Sequence, residues 1–141
     1  MTNHDSKCEV ALYLRGHDLD PSHVSSVLGI KPTLSQHRGE RHITSTNKEF
    51  VTKLGVWAIV SQEESANLSR FIERIGHELG ALDHSLNEIG GVEEAYLDFF
   101  VSMSANEDGG GECKFELDRC STEVIRKLGV PVHFTIAFTR R

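Results

Sequence analysis

The chain has no apolar run approaching the ~20 residues that span a bilayer, and it holds only three cysteines, three prolines and one tryptophan in 141 residues. The first absence predicts a protein with no membrane partner. Cys8, Cys113 and Cys120 are odd in number and no C-x-x-C joins any of them. Neither a disulfide framework nor a zinc knuckle is therefore expected. Residues 1–7 are polar and lack the apolar core of a signal peptide, so they read as a flexible tail, and the protein reads as cytoplasmic with reduced thiols.

Positive charge is also scarce. Fifteen basic residues face twenty-one acidic ones, for a net charge of −6. That balance argues against nucleic acid as a partner. The charge is unevenly placed. Residues 31–53 carry five basic side chains (Lys31, Arg38, Arg41, Lys48, Lys53) against Glu40 and Glu49, whereas residues 61–123 carry four basic and fifteen acidic ones. Such asymmetry bears on partners and solubility, not on the fold.

What is present is enough for a core. A hydrophobic content of 38% and a charged content of 26% predict one folded domain over residues 8–141. Val10, Leu12 and Leu14 alternate with Ala11, Tyr13 and Arg15 as the two faces of a half-buried strand do. Asp20 and Pro21 start a short helix, Val24, Val27 and Leu28 form its stripe, and Gly29 and Pro32 stop it. Residues 31–54 show no clear periodicity; they hide a short strand or form a binding loop.

Val56–Ser61 reads as a strand. A helix follows, capped by Ser65, with apolar positions at Leu68, Phe71, Ile72, Ile75 and Leu79; the stripe runs on to Ile89, with a break or bend at Gly80. Ala95, Leu97, Phe99, Val101 and Met103 mark the clearest strand. Residues 112–118, with Cys113, Phe115 and Leu117 inward, predict its hairpin partner. Ser121 caps a last helix, and Val132, Phe134, Ile136 and Phe138 make a closing strand. The order β-α-β-α-β-β-α-β predicts an α+β fold, ferredoxin-like in spirit, with a mostly antiparallel sheet and helices on one face. Val24, Leu28, Gly29 and Ile30 recur as Val124, Leu128, Gly129 and Val130, a faint internal echo.

One stretch is more distinctive. Leu14-Arg15-Gly16-His17-Asp18-Leu19-Asp20-Pro21 runs into Val24, Leu28-Gly29-Ile30-Lys31-Pro32-Thr33 and Arg38-Gly39-Glu40, and later into Gly55-Val56-Trp57. This pattern resembles the bacterial family called domain of unknown function 4279, over residues 8–138. His37 departs from it, since an aromatic or basic residue is more usual there. The resemblance implies a small bacterial domain and carries over no catalytic residue, metal or cofactor.

The candidate chemistry is thin. His77-Glu78 begins an H-E-x-x-H pattern, but Ala81 stands where the second ligand belongs. His77, Asp83 and His84 otherwise read as exposed helix residues, and no metal site is expected. Cys120 lies at a helix start, yet an inert buried thiol fits its context better. Tyr13, Trp57, Tyr96 and Phe100 line a sheet face and read as core under a helix; left uncovered, that face would be an apolar contact surface. No cofactor and no catalytic residue is expected.

Two functional readings follow. In the first, the chain is a non-enzymatic protein-binding module, with Glu93, Glu94 and Asp98 meeting a basic protein as an immunity-type protein meets a toxin. In the alternative, His37, Arg38, Arg41 and His42 grip a small anionic ligand, as arginine forks suit phosphate or carboxylate. A homodimer through an uncovered sheet face is compatible with either.

Overall fold

Alternation writes the core onto the first strand, β1 (Lys7–Gly16): Cys8, Val10, Leu12 and Leu14 are buried and Tyr13 and Arg15 half-buried. The computed structural model describes residues 7–63, 68–80, 85–105 and 107–139. After β1 come α1 (Pro21–Leu28), β2 (Leu34–Gln36), β3 (Arg41–Ile43), β4 (Glu49–Val51) and β5 (Gly55–Glu63). Then follow α2 (Leu68–Glu78), a 3-10 turn at Leu86–Glu88, β6 (Glu94–Ser104), α3 (Arg119–Leu128) and β7 (Val132–Thr139). Five strands hydrogen-bond in the order β2-β5-β1-β6-β7, and β3 and β4 form a ladder of their own. The α+β class matches the expectation, and the mostly antiparallel sheet that was expected holds broadly, the sheet being mixed. β2 pairs antiparallel with β5, and β6 pairs parallel with β7 across the α3 crossover.

The chain groups into two compact units. One contains residues 12–59 and 81–96. In it the Asp20 carboxylate accepts from the Ser22 N–H at 3.0 Å, and Gly29 closes α1 at φ 70°, its N–H reaching the Ser25 carbonyl. Val24 is the buried residue of the α1 stripe, while Val27 is exposed. Trp57 is fully buried, and its indole N–H donates to Ser25 Oγ at 3.0 Å, so no donor is left without a partner.

The other unit contains residues 1–11, 60–80 and 97–141. Leu68, Phe71, Ile72 and Ile75 of α2 are buried, as are Leu97, Phe99, Val101 and Met103 of β6. Asp118, not Ser121, caps α3: its carboxylate accepts from the Ser121 N–H at 2.8 Å, because α3 begins one turn earlier than the apolar stripe suggests. Gly129 ends α3 at φ 64°. The faint echo is thus a shared device, an aspartate cap and a left-handed glycine stop on both helices.

One expectation needs correction, and two others gain detail. Residues 111–118 form no strand, although Cys113, Phe115 and Leu117 do turn to the less exposed side. The aperiodic segment 31–54 holds three strands of three residues each, too short for a period to show. The long helix breaks near Gly80 as expected, but the Ser65 cap lies outside the described residues.

Candidate functional site

The functional candidates gather around the corner after β1. Gly16 is needed there because a Cβ at this position would sit 1.9 Å from the Gly91 carbonyl oxygen. This approach brings Glu93 against the corner: its N–H donates to the Arg15 carbonyl at 2.9 Å, and its carboxylate accepts from the His17 N–H at 2.6 Å. His17 is fixed by these bonds, and both His17 and Asp18 are exposed to solvent.

Arg38 arrives from the segment between β2 and β3. Its Nη1 lies 2.6 Å from His17 Nε2 and 2.9 Å from Nδ1, so it rests against the imidazole rather than in line with one nitrogen. The Asp18 carboxylate is 3.1 Å from His17 Nδ1 and 3.7 Å from Arg38 Nη1. Among the four basic candidates, Arg38 is the one that reaches this corner.

The rest of the basic segment is a hairpin arm. The buried Thr52 hydroxyl donates to the His37 carbonyl at 2.5 Å and accepts from the Glu40 N–H at 2.9 Å. Its backbone repeats the clasp, with Gly39 N–H to Thr52 O and Thr52 N–H to Glu40 O, both at 2.9 Å. Arg41 on β3 faces Glu49 on β4 at 3.5 Å. His42 stacks on Phe50 with ring centroids 5.2 Å apart, and its Nε2 lies 3.4 Å from Glu40. That last approach is an ion-pair distance without hydrogen-bond alignment. His37 is exposed, and its backbone N–H donates to Glu40 at 2.8 Å. Arg38, Arg41 and His42 thus each meet a carboxylate of the same unit.

Of the three acidic candidates, Glu93 directly precedes β6, Glu94 opens it and Asp98 is its fifth residue. Glu94 is exposed, Asp98 is half-buried, and Glu93 is committed to His17. The expectation of a covered aromatic face needs correction. Trp57 is core, but Tyr13 and Tyr96 are half-buried and stacked at 5.4 Å, and Phe100 is exposed.

Among the described residues, Glu73, Asp118 and Cys120 hold donor atoms within 4.8 Å of one another, close enough to share a metal ion. Asp118 already serves as the α3 cap. The Ser121 N–H, then the Ser121 hydroxyl, hold its carboxyl below the usual aspartate value. Cys120 is exposed rather than buried, because α3 starts at the surface. His77 is exposed on α2, while Asp83 and His84 lie outside the described residues.

His17 and Asp18 are not among the site candidates that the sequence offers. No local signal marks them, because the contact that defines the corner joins positions 17 and 38 through the fold. No helix among the described residues is long and apolar enough to cross a membrane. A family model described as Domain of unknown function (DUF4279) matches residues 6–139, and the chain belongs to that family. No curated protein and no solved structure matches the chain.

Proposed function

We propose that this member of the domain of unknown function 4279 family is a non-enzymatic protein-binding module of the bacterial cytosol, whose acidic surface receives a basic partner protein. The observation that carries this reading is an imbalance in charge pairing. Arg38, Arg41 and His42 each lie beside an acid of their own unit. In contrast, the exposed carboxylates of Glu94, Glu107, Glu112 and Glu116 form no ion pair among the described residues. Unpaired surface acids create the field that steers a cationic partner. An immunity-type protein neutralises a basic toxin in this way. The three free cysteines suit a reducing compartment.

Affinity capture from the source cells at low and high salt tests the reading. One stoichiometric basic protein, released at high salt, is expected. Glu94→Lys should then slow its association several-fold at low salt and leave the rate at high salt nearly unchanged. Glu94 is the better probe than Glu93, whose carboxylate also holds the His17 corner. Retention of no basic protein, or an unchanged rate for Glu94→Lys, sinks the proposal.

A further inference from the structure

We infer that two copies of this chain associate through β7, pairing edge to edge about a twofold axis at Ile136. Three observations lead there.

The first is an open apolar edge. β7 ends the sheet order, so among the described residues no strand pairs with its outer side. Phe134 is 67% exposed, Ile136 60% and Phe138 64%. These positions pair with Phe99, Val101 and Met103 of β6, all buried. The β7 stripe therefore continues the core row of the sheet out to its rim. The Phe134 ring is already ordered, stacked on Phe99 at 5.1 Å. Natural sheets guard such edges with charge or proline, yet residues 132–139 contain neither.

The second observation is the direction of the backbone groups. The Leu97 N–H donates to the Pro131 carbonyl at 2.9 Å. In a parallel ladder this turns the groups of residues 131, 133, 135 and 137 toward β6, and those of Val132, Phe134, Ile136 and Phe138 outward. The residues with outward-facing backbone groups are the ones whose side chains form the stripe.

The third observation selects the occupant. A twofold interface must be self-complementary, with residue i meeting j and j meeting i. Phe134-Thr135-Ile136-Ala137-Phe138 is a palindrome in its stripe, Phe-x-Ile-x-Phe. Antiparallel pairing centred on Ile136 sets Ile136 against its own copy and each Phe134 against a partner Phe138. The outward groups at these positions then exchange hydrogen bonds, and aromatic pairs face one another across the strands. The stripe exposes roughly 350 Å² of side chain per copy. With the strand edges added, the buried total reaches the lower range of specific interfaces, on the order of 1,000 Å². A reversible dimer is the expected strength.

Sedimentation equilibrium of the full chain over a hundredfold concentration range tests the inference, with circular dichroism to confirm folding. The parent should show a monomer–dimer equilibrium. Ile136→Lys should raise the dissociation constant at least tenfold while keeping the spectrum. Thr135→Lys, on the opposite face of β7, should have a smaller effect. Higher salt should tighten the dimer, because it screens two molecules of net charge −6 from each other; a partner bound through the acidic surface is loosened by salt instead. Amide exchange at Phe134, Ile136 and Phe138 should slow as concentration rises. A parent that stays monomeric throughout overturns the inference. So does a folded Ile136→Lys variant that dimerises as well as the parent.

Discussion

Gly76 on α2 and Val124 on α3 leave no room for a methyl group between them: a Cβ on Gly76 would lie 2.6 Å from Val124 Cγ2 and 2.8 Å from Cγ1. The two helices pack here at glycine distance. A helical glycine costs about 1 kcal/mol relative to alanine, so Gly76→Ala would stabilise an uncrowded α2. Val124 is β-branched and stiff at χ1, which stops its methyls from swinging aside. Gly76→Ala is therefore expected to destabilise the protein by about 1–3 kcal/mol in urea unfolding. The double variant Gly76→Ala/Val124→Ala should recover a measurable part of that loss through coupling of about 1 kcal/mol. A raised unfolding midpoint for Gly76→Ala alone would contradict the packing.

Thr52 is the clasp of the arm that carries the basic residues. Its hydroxyl serves the His37 carbonyl and the Glu40 N–H together. Thr52→Val keeps the shape and removes the hydroxyl, leaving the two groups only their long 3.4 Å bond to each other, at a cost of about 1 kcal/mol or more. Thr52→Ser should cost less, since it keeps the hydroxyl. Amide exchange at Gly39 and Glu40 should quicken in Thr52→Val before the rest of the chain responds. Unchanged protection there would show that the backbone bonds alone hold the arm.

Local signals were the readable part of this fold. Asp20, Pro21 and Gly29 bound α1 because capping acts within one turn. The alternation of Val10, Leu12 and Leu14, and of Ala95 to Met103, marks long half-buried strands because the period has room to repeat. In β3 and β4 it has none: Arg41–Ile43 and Glu49–Val51 are three residues each. Their turn is set by Asn47 at φ 60°, a conformation asparagine tolerates. Residues 112–118 alternate like a strand and yet form no ladder among the described residues, because pairing is decided by neighbours far along the chain. The same holds for the candidate site. Arg38 was visible as a cation, whereas its place beside His17 and Asp18 depends on the Gly16–Gly91 approach.

Asp118 gives acid stability a specific handle. Its carboxyl is held below the ordinary 3.8 by the Ser121 N–H, then by the Ser121 hydroxyl. A depressed native value stabilises the fold above about pH 4, and this contribution disappears as pH falls through the native value. Asp118→Asn should therefore be less stable than the parent at neutral pH, with the gap narrowing toward pH 2. Thermal unfolding of both proteins from pH 7 to 2 measures it. A gap that is constant with pH would mean that the charge on the cap contributes nothing.

Cys8 supplies the alkaline counterpart. The thiol is buried on β1, and burial, helped by Cys113, Asp98, Glu63 and Glu9, pushes its pKa from 9.0 up to about 11. A raised native value favours the fold fully below pH 9. The advantage is lost as pH climbs toward the native value, because the unfolded thiol ionises first. The loss is about 2 kcal/mol by pH 11. Cys8→Ala should be less stable than the parent at pH 8 and close on it by pH 11. At neutral pH a thiol reagent should modify exposed Cys120 readily and leave Cys8 untouched until the chain unfolds. Rapid modification of Cys8 in the folded protein would show that β1 opens locally, and that its thiol is not held in the core.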